Sequence, residues 1–448
     1  MALAHLFPAG ARPGTPAATL AALEALLGPD PRDFVVRLWT GEALQPTPGQ
    51  RARFTLVLTH PAALRRMLWP PSELTLAEAF VRGDFDVEGD LVAAFALRDR
   101  FTPSARTLAQ LARLLPAAIA GDGEERRAPT RAARLGGVVH GRARDAAAVR
   151  HHYDVGNEFY ALWLDRRMIY SCAYFAQPDA TIDIAQEAKL ELLCRKLRLR
   201  PGERLLDVGC GWGGLVVYAA ERYGVDALGI TLSPPQAELA RARIAEAGLA
   251  HRCRVELADY REVDEAPFDK IVSVGMVEHV GGAHLPVYFH KLARLLRPGG
   301  AFLNHGIASN GHPTTRAERL LLGRGRFLQR YVFPDSDLPP FHATARAALG
   351  AGLELRDVES LREHYALTLR QWLARLERQR GEAIRAASEE VYRIWRLYLA
   401  GSAAEFERAG IAVYQALYVK PDAGKSGLPL GRDDWYVRPL PGAGKNGE

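Results

Sequence analysis

Apolar and polar residues follow two different spacings along the chain, and each spacing predicts a different kind of element. Within residues 1–120, short alternating runs at 34–39 and 53–58 predict β-strands, and stretches of helical spacing follow them. Strands grouped apart from helices are typical of an α+β fold. We therefore expect a small α+β domain over residues 1–120.

Residues 146–420 show short apolar runs that alternate with longer stretches of helical spacing. This alternation is typical of a parallel sheet with crossover helices. Helical insertions are expected at about 313–331 and 361–408, and an alternating run at 411–419 predicts an antiparallel edge strand. The predicted parallel strands are 204–208, 225–231, 252–257, 270–274 and 301–307.

Two further segments are set apart by composition. Residues 121–145 are rich in glycine, arginine and alanine and are expected to form a basic linker, and residues 421–448 are rich in glycine and proline and are expected to form a flexible tail. Seven arginines and one acid lie within 126–150, a balance that equals the +6 net charge of the chain. Such a segment either contacts anionic lipid headgroups or remains a solvated linker. No nucleic-acid-binding motif accompanies it, so we expect no nucleic-acid partner.

Composition excludes several classes of protein. With 48% hydrophobic and 25% charged residues, the 448-residue chain is typical of globular proteins rather than disordered or fibrous ones. No apolar run reaches the roughly 18 residues that a membrane span requires, and the N-terminus lacks the pattern of a secretory signal. The four cysteines are not closely paired, which argues against a disulfide framework or a structural zinc site. We expect a cytoplasmic protein without a metal.

A glycine-rich turn follows the first predicted parallel strand. The segment LLDVGCGWGG places Asp207 just before Gly209, Gly211 and Gly213, and a helical pattern follows. Such turns, at the carboxyl end of a parallel strand, bind adenosine-containing cofactors. A pyrophosphate would be repelled by Asp207, whereas the ammonium of S-adenosylmethionine would be attracted by it. This pattern therefore favours S-adenosylmethionine as the cofactor.

The end of the second parallel strand lacks the carboxylate that usually binds a ribose. Gln236 is available for the ribose hydroxyls instead. The same glutamine could complete a capping box with Ser233 at a helix start, and the two roles are compatible. After the third strand, Tyr260 and Arg261 are expected to cover the adenine ring.

Several motifs together resemble the cyclopropane-fatty-acid synthase family, which includes the mycolic-acid cyclopropane synthases. The resemblance covers about residues 146–418, in the order HHYDVGNEFYALWLD, MIYSCAYF, LLDVGCGWGG, GITLSPPQ, DYRE, FDKIVSVGMVEHVG, LLRPGGAFLNHGI, YVFPDSDLPP and REHYALTLRQW. It implies a class I, Rossmann-like S-adenosylmethionine methyltransferase domain with helical insertions. The N-terminal 120 residues resemble the additional domain of the members that act on phospholipids, and we expect this domain to bind lipid or to mediate dimer contacts.

The resemblance also implies cofactor contacts and a bicarbonate site. It assigns the bicarbonate to the backbone N–H of Ile307 and to the side chains of Cys172, Glu278, His305 and Tyr365. For Cys172, His305 and Tyr365, taken singly, ordinary packing is an alternative. The complete set of expected cofactor residues is Tyr170, Ser171, Asp207, Gly209, Gly211, Trp212, Gly213, Thr231, Leu232, Gln236, Tyr260 and Arg261.

The implied chemistry requires a base and an apolar site. Methyl transfer to a cis double bond leaves a carbocation, and ring closure then requires loss of a proton from the added methyl group. Water must be kept away, because it would trap the cation as an alcohol. Tyr153, Phe159 and Tyr174, together with Tyr365, are the expected aromatic residues along the cation's path, where cation–π attraction contributes about 0.5–2 kcal/mol each.

The expected substrate is an unsaturated acyl chain of a membrane phospholipid, and the expected location is the inner face of the membrane. A related lipid methyltransferase that gives a methylene or methyl-branched chain is the alternative. Several relatives carry a cysteine in a late helix where this chain has Ser402. We expect Ser402 to be dispensable.

Overall fold

The computed structural model describes residues 15–70, 72–97, 129–265, 267–310 and 325–436. Contacts divide the chain into two compact units. The first unit contains the N-terminal residues together with 325–332 and Glu389–Ala404, and the second contains the other described residues from position 133 onward. The predicted amphipathic segment at 101–120 and the arginines at 126 and 127 lie outside the described residues.

The first unit is built around a small mixed sheet. Its strands lie in the order β2-β1-β3-β4, with β1 and β3 parallel and the other pairs antiparallel. Alternation along β1 and β3 buries Phe34 and Phe54, whose rings stack 5.0 Å apart. The α+β prediction for this region is confirmed. The elements of the N-terminal residues are α1 (Pro16–Leu27), β1 (Phe34–Arg37), β2 (Ala43–Leu44), β3 (Phe54–Leu58), α2 (Ala63–Leu68), α3 (Glu73–Arg82), β4 (Phe85–Gly89) and α4 (Leu91–Ala94).

The second unit contains a seven-stranded sheet with helices on both faces. Its order is β10-β11-β9-β8-β5-β6-β7, where β9, β8, β5, β6 and β7 run parallel and β10 and β11 run antiparallel to their neighbours. Side chains alternate between two buried clusters, so that Leu205 and Leu206 belong to different ones. The strands are β5 (Arg204–Val208), β6 (Asp226–Thr231), β7 (Cys253–Leu257), β8 (Phe268–Val274), β9 (Leu296–Ser309), β10 (Glu354–Ser360) and β11 (Ile411–Val419).

The helices from residue 142 onward provide the crossovers and the insertions. None of the helices in the described residues is long and apolar enough to cross a membrane. The helices are α5 (Arg142–Tyr153), α6 (Asn157–Ala161), α7 (Ile182–Leu197), α8 (Gly214–Tyr223), α9 (Pro234–Glu246), α10 (Val277–Val280), α11 (Leu285–Leu295), α12 (Arg326–Tyr331), α13 (Phe341–Gly350), α14 (Arg362–Arg378), α15 (Arg380–Ala386) and α16 (Glu389–Glu407).

Two features of the sheet and the units differ from expectation. β11 is antiparallel as predicted, but the prediction that it is an edge strand is wrong, because β10 pairs with its other side. β10 lacks a buried apolar alternation, so it could not be predicted from the sequence. Composition places 325–332 and 389–404 in the second domain, whereas contacts group them with the first unit. Arg393 and Arg396 explain part of this grouping, since both donate to the carboxylate of Asp86.

The described part of the C-terminal segment is docked, contrary to the flexible tail expected there. Trp435 is only 2% exposed and belongs to a buried cluster of the second unit. Arg195 donates to its carbonyl at 3.0 Å, and Arg198 forms an ion pair of 2.6 Å with Asp434. Residues 437–448 lie outside the described residues. A buried aromatic ring and two arginines thus fix a segment whose composition predicts a loop.

Residues 133–145 of the expected basic linker are also folded, as part of the second unit. Helix α5 already begins at Arg142, within the segment that composition assigns to a linker. The Arg144 guanidinium donates to both carboxylate oxygens of Asp335, at 2.6 and 2.9 Å, and to the carbonyls of Leu135 and Gly137. Arg134 and Arg150 remain exposed.

Candidate active site

The glycine-rich turn lies at the carboxyl end of β5, where β6 continues the sheet on one side and β8 on the other. Gly213 has a φ of +80°, and a Cβ at this position would lie 2.9 Å from the Cβ of Ala240, so any other residue would be strained and crowded. Gly209 likewise has a φ of +83°. The turn thus brings backbone close to the cavity beyond the strand end, the usual ligand position in such sheets.

A cavity beyond these strand ends is lined by all but one of the expected cofactor residues. Gly213 is the exception, since it supports the turn from behind rather than facing the cavity. Tyr153, from the expected aromatic set, also lines it. The expected residues in the lining are Tyr170, Ser171, Asp207, Gly209, Gly211, Trp212, Thr231, Leu232, Gln236, Tyr260 and Arg261.

Asp207 provides a buried negative group in this cavity. Its Oδ1 atom is buried and has no hydrogen-bond partner among the described residues. Burial raises the pKa of Asp207 to about 7, against the opposing effect of the Lys189 charge. A buried carboxylate without a partner is costly, and a ligand ammonium would relieve that cost. The carboxylate therefore suits the amino-acid end of S-adenosylmethionine.

Gln236 does not form the capping box that was one of its two expected roles. Proline follows Ser233 at the helix start as predicted, but the Ser233 side chain makes no cap hydrogen bond. Gln236 instead accepts a 2.8 Å hydrogen bond from the Thr231 hydroxyl. Its amide thus belongs to the cavity wall, and its role toward ribose stays a prediction.

Arg261 and Tyr260 follow strand β7 and line the same cavity. The Arg261 guanidinium is held by Asp259 at 2.6 Å and by Asp145 at 2.9 Å. The Tyr260 ring packs edge-on against Tyr288 at 5.1 Å. These contacts fix both side chains. Their expected role in covering the adenine ring stays a prediction.

The expected bicarbonate residues lie beside this cavity rather than in its lining. Glu278 is on α10, between the lining residues Met276 and His279, and the carbonyl of His305 accepts a 2.8 Å hydrogen bond from the N–H of Gly275, another lining residue. Cys172 directly follows the lining residue Ser171. Several expected bicarbonate residues are therefore neighbours of cavity-lining residues, either in sequence or through a hydrogen bond.

Hydrogen bonds across three elements connect the members of this second set. The carbonyl of Leu361 accepts from the N–H of Tyr365 at 3.0 Å and from the Cys172 thiol at 3.7 Å. The N–H of Leu361 donates to the carbonyl of Val413, which lies directly opposite Ile307 in the sheet. Cys172, Tyr365 and Ile307 are thereby brought to one end of the sheet.

Glu278 and His305 each present a buried atom without a partner among the described residues. These atoms are Oε2 of Glu278 and Nε2 of His305. Glu278 Oε1 accepts from the Ile307 N–H at 2.7 Å, so the N–H assigned to bicarbonate is engaged by the carboxylate in this structure. Burial raises the pKa of Glu278 to about 7, partly offset by that hydrogen bond. Burial, together with the charges of Lys189 and Lys196, holds the pKa of His305 well below its usual value, so its imidazole is neutral.

The other expected residues have more ordinary surroundings. Burial raises the pKa of the Cys172 thiol, which therefore stays protonated and donates to the carbonyl of Ala173 at 3.2 Å. Phe159 is fully buried among aromatic rings and is absent from the cavity lining. Tyr174 stacks on His364 with 4.8 Å between ring centroids, and Tyr365 packs against Phe406 at 4.6 Å.

Lys189 is a cavity residue that sequence reasoning missed. Its ammonium is buried and donates to the Ser171 hydroxyl at 3.0 Å. Burial lowers the pKa of Lys189 to about 8, against the opposing effect of Asp165 and other anionic groups. An indication was available in the sequence, because Lys189 and Lys196 are spaced seven residues apart on the face of α7 that carries buried apolar residues.

The fold and this cavity define the class of protein, a Rossmann-like S-adenosylmethionine-dependent methyltransferase. Residues 140–416 match the family model described as mycolic acid cyclopropane synthetase. A probable fatty acid methyltransferase of Pseudomonas putida is 42% identical over 90% of this chain and 95% of its own length. The chain belongs to the mycolic acid cyclopropane synthetase family.

Two further comparisons agree with this assignment. The cyclopropane-fatty-acyl-phospholipid synthase of Escherichia coli K12 is 35% identical over 60% of this chain and 66% of its own length. The crystal structure of mycolic acid cyclopropane synthase CmaA1, complexed with SAH and CTAB, is similar with a TM-score of 0.58 and 37% identity, over 61% of this chain and 97% of its own. The resemblance inferred from the motifs is confirmed.

Proposed function

We propose that this protein transfers a methyl group from S-adenosylmethionine to the cis double bond of an unsaturated acyl chain in membrane phospholipid and closes a cyclopropane ring. The observation that carries the proposal is the pair of buried, unpartnered atoms, Glu278 Oε2 and His305 Nε2, beside the cavity that contains Asp207. A simple methyl transfer needs only the cavity. Ring closure needs a base next to it as well.

The residues present suit S-adenosylmethionine. The unpartnered oxygen of Asp207 would hold the ammonium, and Tyr170 and Ser171, which line the same cavity, would contact the cofactor. When bound, the cofactor supplies a methyl group on a sulfonium, an electrophile strong enough for an alkene. The cavity wall contributes orientation, since Gln236 is fixed by the hydrogen bond from Thr231.

The second set of residues suits bicarbonate. A neutral His305 can donate from one ring nitrogen, and Glu278 can accept the O–H of the anion through its free oxygen. When bound, bicarbonate supplies a base of moderate strength close to the methyl group. Ionised Glu278 alone would repel an anion, so it must either accept that O–H or be protonated. A pKa of about 7 makes both forms accessible near neutral pH.

The chain's aromatic residues exclude water from the reacting centre. Tyr153 packs edge-on against Trp212 at 5.7 Å, and Trp212 is fixed by a 2.7 Å hydrogen bond to Asn157. Tyr170 lies 5.4 Å from Trp372 in the same aromatic cluster. These rings remove water that would trap a cation and offer their faces to positive charge.

We also propose that an anionic membrane surface is a partner of this protein. Within residues 133–150, Arg134, Arg142 and Arg150 are exposed, and Val138 and Val139 between them are 81% and 49% exposed. Basic residues that flank exposed apolar side chains suit a surface that offers headgroup phosphate and hydrocarbon together. Contact with such a surface would bring acyl chains to the enzyme.

The test of the proposed reaction is the mass spectrum of membrane lipids from a host that lacks its own synthase and expresses this chain. We expect unsaturated phospholipid chains to gain one CH₂ unit and to resist subsequent catalytic hydrogenation, as a ring does. Lipids unchanged in mass would refute the proposal. The Glu278→Gln protein, expressed to the same level, is the control for activity of the host.

A second candidate reaction gives a methylene or methyl-branched acyl chain. It is favoured by the similarity to the probable fatty acid methyltransferase of Pseudomonas putida, which extends over 90% of this chain. The same carbocation would then lose a different proton to give the methylene product, or take up hydride from a separate donor such as a reduced nicotinamide to give the branched one. A methylene product would gain one CH₂ unit and would still take up hydrogen on catalytic hydrogenation. A methyl-branched product would gain one CH₂ unit and two further hydrogens and would take up no more.

A further inference from the structure

Three residues occupy directly opposite positions on three neighbouring strands. His305 on β9 faces Gln415 on β11, and Gln415 in turn faces Glu359 on β10. Gln415 is 1% exposed, and its side chain lies between the imidazole and a lysine from α7. The sheet register therefore places a buried amide behind the histidine of the proposed anion site.

The lysine decides which way that amide points. The Lys196 ammonium donates to Oε1 of Gln415 at 2.8 Å and also forms an ion pair with Glu359. An ammonium has only donors, so the reversed amide would direct N–H groups at a buried cation. Such a conflict is costly in a dry site. The amide nitrogen of Gln415 is thereby directed toward His305.

The amide in turn decides where the proton of His305 resides. Nε2 of Gln415 lies 3.3 Å from Nδ1 of His305. An amide nitrogen cannot accept a hydrogen bond, so Nδ1 must be the acceptor and carry no proton. In a neutral imidazole, the single proton is then on Nε2. This is the nitrogen that is buried without a partner among the described residues.

We propose that Gln415, oriented by Lys196, is a positioning residue that keeps the proton of His305 on Nε2 and thus presents a hydrogen-bond donor to the anion. The part concerning the anion rests on the proposed function, whereas the part concerning the proton does not. The opposite tautomer would present a lone pair to an anion and repel it. Lys196 is itself covered by the Trp435 ring, whose centroid lies 5.8 Å from Nζ.

The direct test is the nitrogen NMR spectrum of the full chain labelled with ¹⁵N-histidine, with the His305 resonances identified by their loss in His305→Gln. We expect wild-type His305 to be protonated at Nε2 and unprotonated at Nδ1. Protonation at Nδ1 in the wild type would overturn the proposal. This measurement needs no substrate, and the unchanged resonances of the other histidines in His305→Gln show that the variant is folded.

Two variants test the cause. Gln415→Glu keeps the shape but offers an acceptor to Nδ1, so we expect protonation of Nδ1, and Lys196→Met releases the amide, so we expect a mixture of tautomers. Turnover should fall about 10- to 100-fold in Gln415→Glu, as it does when a partner that orients a functional histidine is removed. The KM for S-adenosylmethionine should stay unchanged. The matched control is Gln371→Glu, which replaces an amide that donates to the Ala180 carbonyl. It should alter neither the turnover nor the KM for S-adenosylmethionine.

Failure of this proposal and failure of the proposed function are distinguishable. A Gln415→Glu protein whose His305 remains protonated only at Nε2 overturns the positioning role, whatever lipid is produced. A wild-type lipid product without a ring contradicts the proposed function and leaves the tautomer assignment intact.

Discussion

At the scale of single residues, burial sets the chemistry of this site more than neighbouring charges do. The carboxyls of Asp207 and Glu278 both have a pKa raised to about 7 by burial. The imidazole of His305 is kept neutral by burial and by two nearby lysines. Groups with strongly shifted pKa values, in or beside a cavity, are typical of functional sites.

Replacing Glu278 separates the proposed base site from the cofactor site. We expect Glu278→Gln to lower turnover by about 10²-fold or more, because a positioned acid–base group contributes at least that much. The Kd for S-adenosylhomocysteine should not change, since Glu278 does not line the cavity. Steady-state kinetics and calorimetric titration measure the two quantities. The control is Glu238→Gln, because Glu238 is an exposed residue on α9. Wild-type turnover in Glu278→Gln would contradict the bicarbonate proposal.

The same substitution has an expected effect on stability that depends on pH. Glu278 has an ordinary pKa of 4.5 and a folded pKa of about 7, so the folded state binds its proton more tightly than the unfolded state does. The free energy of unfolding therefore decreases as pH rises through this range, by about 3 kcal/mol at most. Glu278→Gln lacks this loss. The free energy of unfolding of the variant minus that of wild type should therefore be larger at pH 8 than at pH 5.

Urea denaturation of both proteins without cofactor, at the two pH values, measures this difference. Asp207 contributes a change of the same sign to both proteins and cancels in the comparison. A stability difference that is independent of pH, or one that reverses in sign, would show that Glu278 is not shielded from water as the structure indicates.

At the scale of elements, two segments that look like loops by composition are fixed by a few side chains. The segment 421–436 is anchored by Trp435, Asp434 and the arginines of and beside α7. The segment 133–145 is anchored by Arg144 on Asp335. Loop composition reports a lack of regular periodicity, but it does not report whether a single large side chain finds a pocket.

Truncating the anchor of the C-terminal segment should be costly. We expect Trp435→Ala to lower the free energy of unfolding by about 3–5 kcal/mol, as removal of a buried large aromatic side chain does. Tyr436 next to it is 53% exposed, so Tyr436→Ala is a matched control with an expected change within about 0.5 kcal/mol. Chemical denaturation of the full chain measures both. Equal effects of the two substitutions would mean that the segment is not docked in solution.

At the scale of the whole molecule, charge is concentrated where membrane contact is proposed. The segment 126–150 carries a balance equal to the +6 net charge, and three of its arginines are exposed beside two exposed valines. Arg144 is engaged with Asp335, so it contributes to folding rather than to a surface. The exposed members, of which Arg142 also forms a 2.9 Å ion pair with Glu262, are the ones that we propose contact lipid.

Neutralising Arg134, Arg142 and Arg150 together to glutamine should weaken binding to phosphatidylglycerol vesicles about 100-fold. The estimate follows from about 1 kcal/mol for each basic residue near an anionic surface. Vesicle co-sedimentation measures it, and binding should decrease with added salt. Glutamine at Arg222, Arg254 and Arg385, three other exposed arginines, is the charge-matched control. Unchanged binding of the first variant would refute this membrane contact.

The sequence by itself determined most of the strands, the glycine-rich turn and the family. Strand β5 and its neighbours were predictable because buried parallel strands are short apolar runs, and the Asp207 turn was predictable because glycine spacing and an acid limit the ligand. All but one of the expected cofactor residues line one cavity, because most of them follow strand ends closely. The expected bicarbonate residues, including Glu278 and His305, were predicted from the family motifs and their order.

Only the tertiary structure decided which side chains face one another. Strand β10 has no apolar alternation, so only its pairing reveals that β11 is internal. The row His305, Gln415 and Glu359 depends on register between strands that are more than 50 residues apart in sequence. Lys189 and Lys196 lie at helical spacing on an apolar face, but only the structure shows that α7 buries both of them. The physical reason is that hydrophobic spacing is a local property of the chain, whereas hydrogen-bond direction, burial and pKa depend on partners that the fold brings from far away.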